Sequence, residues 1–228
     1  MKKILFSDID GTLVNGNQPI SSKDQEAIKK LREKGHYFSF CTGRNIQETK
    51  IITPYFEYDY LVLNNGAMIV DQQDQVLYRK QIKNEIAKEI LNESMQKYPY
   101  LSYTFFDGKQ TYGFINEKTC KLTKEGYQEI EGDFLDILNN TIEDIDIVCA
   151  FHPEEKLDEI KEIQQQINQK YTGIHATLNV VYLDITVDCT KGTGLQKLCS
   201  LFKEDVTSYC IGDSFNDLDK FEKANHAY

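Results

Sequence analysis

Three short, largely apolar runs, Ile4-Leu5-Phe6, His36 to Cys41 and Tyr60-Leu61-Val62-Leu63, follow one another early in this chain of 228 residues. Runs of this length, bounded by turn residues, read as strands buried on both faces. After the first comes a polar loop, Asn15 to Pro19. Ser22 then reads as a helix cap with Gln25 three residues on, Ala27, Ile28 and Leu31 supply an apolar face, and Gly35 supplies the stop. A shorter helix follows the second run and halts at Pro54. Strand, helix, strand, helix, strand in this order predicts a parallel sheet covered by helices.

From about residue 80 the pattern changes. A helix over Lys83 to Gln96 precedes two strand-like runs, Tyr100 to Phe106 and Gln110 to Ile115, joined by the hairpin dipeptide Asp107-Gly108. A strand over Ile145 to Phe151, a polar helix over Glu154 to Lys170 and a strand pair over Ile174 to Leu183 complete the block. The parallel pattern resumes at Asp184. Lys191-Gly192-Thr193-Gly194 opens a helix with Leu195, Leu198 and Phe202 on its apolar side, and Ser208 to Ile211 is the next strand. The fold class expected is therefore α/β, a Rossmann-like parallel-sheet core over residues 1–79 and 184–228. An α+β domain over residues 80–183 is inserted into it. Its aromatics, Tyr98, Tyr100, Tyr103, Phe105, Phe106, Tyr112 and Phe114, read first as core and second as a stacking surface.

A formal net charge of -10, with no Lys/Arg stripe, argues against a nucleic-acid footprint. No run approaches the ~18 apolar residues of a membrane span. Met1-Lys2-Lys3-Ile4 leads straight into strand sequence rather than a secretory leader, so a cytoplasmic location is expected. The cysteines (Cys41, Cys120, Cys149, Cys189, Cys199, Cys210) form no Cys-x-x-Cys pair and read as buried free thiols. Cys41-Thr42-Gly43-Arg44 has too few residues between Cys and Arg for a thiolate phosphatase loop. His36, His152, His175 and His226 show no metal-ligand spacing.

The first strand ends in Asp8-Ile9-Asp10-Gly11-Thr12-Leu13. Two carboxylates one residue apart return to the same side of an extended chain, and Gly11 allows a sharp turn after them. One can attack phosphorus, the other can move a proton, and both can face a metal ion. Such a pair is weak evidence alone, since Asp144-Ile145-Asp146 is another. Position distinguishes the first, because open α/β sheets bind ligands beyond the carboxyl ends of their strands. Thr42, Lys191 and the Gly212-Asp213-Ser214-Phe215-Asn216-Asp217 segment stand at the corresponding places of the other core elements.

Together and in this order, these clusters resemble the haloacid dehalogenase-like hydrolases, nearest to the Cof-type (subfamily IIB) phosphatases with an inserted α+β cap of the C2 type. The resemblance covers residues 1–79 and 184–224; the inserted block matches only in placement and coarse element order. It implies Asp8 as a nucleophile forming an aspartyl-phosphate, Asp10 as acid and then base, and Lys191 as a neutralising cation. Thr42, through hydroxyl and backbone N–H, with Gly43, Lys191 and Asn216, would bind the substrate phosphate. Asp8, the Asp10 carbonyl, Asp213 and Asp217 would hold Mg²⁺. The implied activity is hydrolysis of a small phosphorylated metabolite, a sugar phosphate by preference, with the cap closing over the site. A phosphomannomutase-like phosphosugar mutase and a non-catalytic regulatory paralogue are the alternatives. Arg44 would bind substrate or pair with a carboxylate. Chains of this family continue with a further strand and helix, whereas eleven residues follow Asp217 here.

Overall fold

Strand β1 (Lys2–Ser7) leads through helix α1 (Ser22–Glu33) to β2 (Tyr37–Cys41), and α2 (Ile46–Ile52) leads to β3 (Tyr60–Leu63). A hairpin of β4 (Met68–Asp71) and β5 (Val76–Arg79) follows, then α3 (Asn84–Lys97). Four strands come next: β6 (Ser102–Phe106), β7 (Thr111–Ile115), β8 (Lys118–Thr123) and β9 (Gly126–Glu129). After them come α4 (Phe134–Asn140), β10 (Ile147–Phe151), α5 (Leu157–Lys170), β11 (Ile174–Asn179) and β12 (Tyr182–Val187). The chain then runs through α6 (Lys191–Leu201), β13 (Val206–Ile211), α7 (Leu218–Lys223) and β14 (His226–Ala227). This computed structural model describes residues 2–15, 19–54, 56–179 and 181–228, so the centre of the expected Asn15-to-Pro19 loop lies outside the described residues.

Two units emerge, one of Met1–Arg79 with Cys189–Tyr228 and one of Lys80–Asp188. In the first, the described strands form a seven-stranded sheet in the order β14-β13-β1-β2-β3-β4-β5. Strands β14, β13, β1, β2 and β3 run parallel, and β4 and β5 extend the sheet antiparallel. Alternation along the strands fills both faces, which is why the strand sequences are apolar throughout. Phe38, Phe40, Leu61 and Leu63 pack on one face with Ile28 of α1. Cys41 and Val62 pack on the other with Leu195 and Leu198 of α6.

Local expectations needed adjustment. Ser21, not Ser22, caps α1, its hydroxyl accepting from the Asp24 N–H at 3.2 Å. Ala27 is exposed, leaving Ile28 as the buried anchor of that helix. The β4–β5 hairpin is absent from the sequence reading because β5 is mostly exposed and carries no buried alternation. The two-residue β14 pairs with β13 through Tyr209 and Cys210 at the sheet edge.

The described strands of the second unit form a seven-stranded sheet of their own, ordered β11-β12-β10-β6-β7-β8-β9 with antiparallel neighbours. Asp107 shapes the expected β6–β7 hairpin, its Oδ1 accepting from the N–H groups of Lys109 and Gln110 at 2.8 Å each. Asp184 does not begin the return to the core. It lies within β12, paired with β10 and β11, and the boundary falls after Asp188. Leu183 and Ile185 explain this, since both are buried in the second unit's core. Tyr98, Tyr103, Phe105 and Phe106 are buried, with Tyr112 and Phe114 packed against the core, whereas Tyr100 is largely exposed. Core packing therefore accounts for most of these aromatics. No helix among the described residues is long and apolar enough to cross a membrane.

Gly66 fixes how the turn after β3 meets α6. Its φ is +96°, and a Cβ there would lie 2.1 Å from the Thr190 carbonyl oxygen. Gly66→Ala is expected to destabilise the protein by about 3 kcal/mol, from left-handed strain and overpacking together. Urea unfolding followed by circular dichroism would detect the loss; unaltered stability would mean that this turn is not the constraint described.

Candidate active site

Asp8 stands one residue beyond β1, where its N–H donates to the Ile211 carbonyl at 3.1 Å and prolongs the ladder with β13. Its Oδ1 accepts from the Ile9 N–H at 2.8 Å, which fixes the carboxylate. The chain then turns at Gly11, φ +78°, where a Cβ would lie 2.0 Å from Asp213 Oδ2. A Cβ here would displace the Asp213 carboxylate, and the positive φ disfavours any residue with a side chain. Thr12 completes the contact, its hydroxyl donating to Asp213 Oδ1 at 2.6 Å.

Lys191 enters as the first residue of α6, whose start is set by a Thr190–Thr193 capping box. Its Nζ lies 2.9 Å from Asp8 Oδ2 and 2.9 Å from Asp217 Oδ1. Asp217 Oδ1 also receives the Lys220 amine at 2.7 Å. Lys191, Asp217 and Lys220 are at most 1% exposed, so these charges are compensated by one another rather than by water. Burial pushes the Asp8 carboxyl up to about 6 against the pull of Lys191, with Asp217 adding repulsion. Burial would raise Asp217 too, but Lys191 and Lys220 outweigh it and hold the group down at about 2. Desolvation opposes the charge on Lys191, and Asp8 and Asp217 overcome it, raising its pKa.

Asp8, Asp213 and Asp217 each offer a carboxylate oxygen within 4.8 Å of the others. An all-oxygen set with one exposed member fits a hard divalent cation such as Mg²⁺. The three members are not equivalent. Asp217 Oδ1 holds two lysines, and Oδ2 accepts from the Asp213 N–H, the Ser214 N–H and the Ser214 hydroxyl at 3.2, 3.2 and 3.1 Å. Its lone pairs are committed to the protein, so Asp8 and Asp213 are the available ligands.

Thr42 lies just beyond β2, and Asn65 in the turn beyond β3 donates its N–H to the Thr42 carbonyl at 3.1 Å. The expectation that both hydroxyl and N–H of Thr42 face a phosphate needs correction. The N–H donates to the Val62 carbonyl at 3.0 Å within the sheet, leaving the hydroxyl, which accepts from the Arg44 N–H at 3.2 Å. Gly43 adjoins it in the same turn. Asn216 is buried, its amide donating to Asn65 Oδ1 at 3.4 Å and accepting from the Ser214 hydroxyl at 2.6 Å. Arg44 resolves toward a carboxylate: its guanidinium grips both oxygens of Asp10 at 2.7 and 2.8 Å. The Cys41 thiol is pushed up to about 12 by burial and donates to the Lys191 carbonyl, which removes it as a nucleophile. Asp144, the rival acidic pair's first member, binds Lys83 and the Asn84 N–H at the start of α3.

Sequence reasoning missed Lys220 and Asn65. Lys220 had a signal, three residues beyond Asp217 at the start of a helix, the spacing at which side chains meet. Asn65 had a weaker one, a polar residue just past a strand.

Burial of Asp8 has a measurable cost. A carboxyl whose folded pKa exceeds its unfolded value destabilises the fold where it is ionised, and the penalty fades as pH falls from about 6 to about 4. Asp8→Asn is therefore expected to raise metal-free stability by about 2 kcal/mol at pH 8. That advantage should shrink below pH 6 in urea titrations. An equally unstable or less stable variant at pH 8 would contradict the electrostatic description.

Comparison with known proteins agrees with this architecture. The family model of haloacid dehalogenase-like hydrolases matches residues 5–228. An uncharacterized protein of Mycoplasma capricolum subsp. capricolum is 28% identical, over 97% of this chain and 88% of its own. A 5-amino-6-(5-phospho-D-ribitylamino)uracil phosphatase of Bacillus subtilis is 25% identical, over 98% of this chain and 86% of its own. A haloacid dehalogenase-like hydrolase structure from B. subtilis superposes with a TM-score of 0.82 at 17% identity, covering 99% of this chain and 88% of that one. With a parallel core, an inserted α+β unit and a match along nearly its whole length, the chain belongs to the haloacid dehalogenase-like hydrolases.

Proposed function

We propose that this hydrolase is a Mg²⁺-dependent phosphatase that removes the phosphoryl group from small phosphorylated metabolites, with sugar phosphates as the preferred class. One observation carries the reading: the buried Lys191 amine sits 2.9 Å from Asp8, whose carboxylate also shares a 4.8 Å oxygen cluster with the exposed Asp213. A nucleophilic carboxylate, a compact cation and an open oxygen ligand meet in one place. The relative whose name specifies a phosphoribityl compound supports the substrate class.

In this reading an Asp8 oxygen attacks phosphorus and the bond from phosphorus to the alcohol oxygen breaks, leaving an aspartyl-phosphate. Asp10, protonated once one of its oxygens has left the Arg44 fork, gives that proton to the departing alcohol, then takes one from water. That water attacks phosphorus, the bond to Asp8 breaks, and inorganic phosphate leaves. Lys191 neutralises charge gathering on the equatorial oxygens, and the Thr42 hydroxyl, Gly43 and Asn216 orient them. Asp8, the Asp10 carbonyl and Asp213 would hold Mg²⁺, with Asp217 positioning the loop. Once bound, the ion offsets repulsion between carboxylate and phosphate dianion.

A panel of phosphorylated metabolites should reveal Mg²⁺-dependent phosphate release that EDTA stops and that Asp8→Asn lowers at least ~10³-fold. Equal background for wild type and Asp8→Asn would overturn the proposal. Arg44, by orienting Asp10 through the oxygen it retains, should matter most where proton donation matters. Arg44→Gln is expected to reduce turnover of an alkyl phosphate about 10²-fold and of an aryl phosphate, with its better leaving group, far less. Equal losses on both substrates would remove that role.

A further inference from the structure

Lys220 is a buried cation that the chemistry above does not use. Its side chain is 0% exposed, and it reaches from α7 to Asp217 Oδ1 at 2.7 Å and to the Ile211 carbonyl at 2.8 Å. Sealing an ammonium in a protein core is costly unless it is paired, and a methionine of similar length would fill the same space without that cost. Stability alone explains the lysine poorly. Its placement within the charge cluster explains it better.

Three carboxylates, Asp8, Asp213 and Asp217, face two ammonium groups, Lys191 and Lys220. Lys191 is shared between Asp8 and Asp217, whereas the charged partner of Lys220 is Asp217. We infer that Lys220 is a positioning residue that withholds Asp217 from a divalent ion and weakens the ion's hold on the neighbouring Asp8–Asp213 pair. The inference rests on the metal-dependent reading above. With Lys220 present, the cluster offers a cation one net negative charge. Without it, the cluster offers two, and Asp217 Oδ1 keeps Lys191 as its one ammonium partner, so more of its charge is left for the ion. Lys220 thereby keeps Lys191 available to Asp8 and limits the carboxylates that the ion can claim.

Isothermal calorimetry of Mg²⁺ binding to the metal-stripped, full-length protein tests this without relying on turnover. Lys220→Met is expected to bind Mg²⁺ about tenfold more tightly than wild type, because a like charge has been removed from a low-dielectric site. Adding Asp217→Asn to that variant should abolish the gain, since the effect acts through Asp217. If Lys220→Met fails to fold by circular dichroism, Lys220→Gln, which keeps a donor for the Ile211 carbonyl, carries the same comparison. Unchanged or weaker binding in the folded variant, with wild-type binding intact and lost in Asp213→Asn, would overturn this inference alone. No Mg²⁺ binding by wild type or by any variant would overturn the metal-dependent reading and this inference with it.

Discussion

A single buried oxygen, Asp217 Oδ1, binds the Lys191 and Lys220 amines at 2.9 and 2.7 Å, and the rest of the site is arranged around that contact. Lys220 could not stay buried without it, because an isolated internal ammonium is too costly to maintain, and Lys191 divides its charge between this oxygen and Asp8. Through Lys191 the contact fixes the distance between α6 and the end of β1. Through Oδ2 it ties down the N–H groups of Asp213 and Ser214, and so the direction of the Asp213 carboxylate. One well-satisfied anion thus orients two cations and one metal-capable oxygen. Asp8 bears the cost, its carboxyl held at about 6 by burial within the same cluster.

Sheet topology makes this convergence possible. β13, β1, β2 and β3 are parallel neighbours, so the residues following them emerge on one rim although they lie far apart in the chain. Gly66 sets one backbone spacing, letting the β3 turn meet the start of α6 where a Cβ would strike the Thr190 carbonyl. Gly11 makes room for the Asp213 carboxylate beside the β1 loop.

Much of this was legible before any coordinates, and for an identifiable reason. Strands such as Phe38 to Cys41 are buried on both faces, so burial dictates their composition and marks them in the sequence. The proposed site residues sit immediately after such strands or at a helix start, where position is informative. Legibility failed where burial is partial or the determinant is tertiary. β5, β8 and β9 carry exposed residues and blur into loop sequence. The second boundary was misplaced because the β12 sequence Leu183-Asp184-Ile185 suits either unit's sheet, and only pairing with β10 and β11 decides. The Arg44–Asp10 fork and the Lys220 pairing depend on side-chain directions that spacing suggests but does not fix. Thr42 shows the converse, a motif residue whose backbone donor the sheet had already taken.

The central claim is that Asp8 carries phosphorus during turnover. Acid-quenching the enzyme at steady state, reducing with borohydride and sequencing peptides by mass spectrometry tests it most directly, since an acyl phosphate is reduced to the corresponding alcohol and a free carboxylate is not. The account predicts a homoserine at position 8 that appears only when substrate and Mg²⁺ are both supplied. Steady turnover with no reduced residue at position 8, or with reduction at another carboxylate, would contradict it.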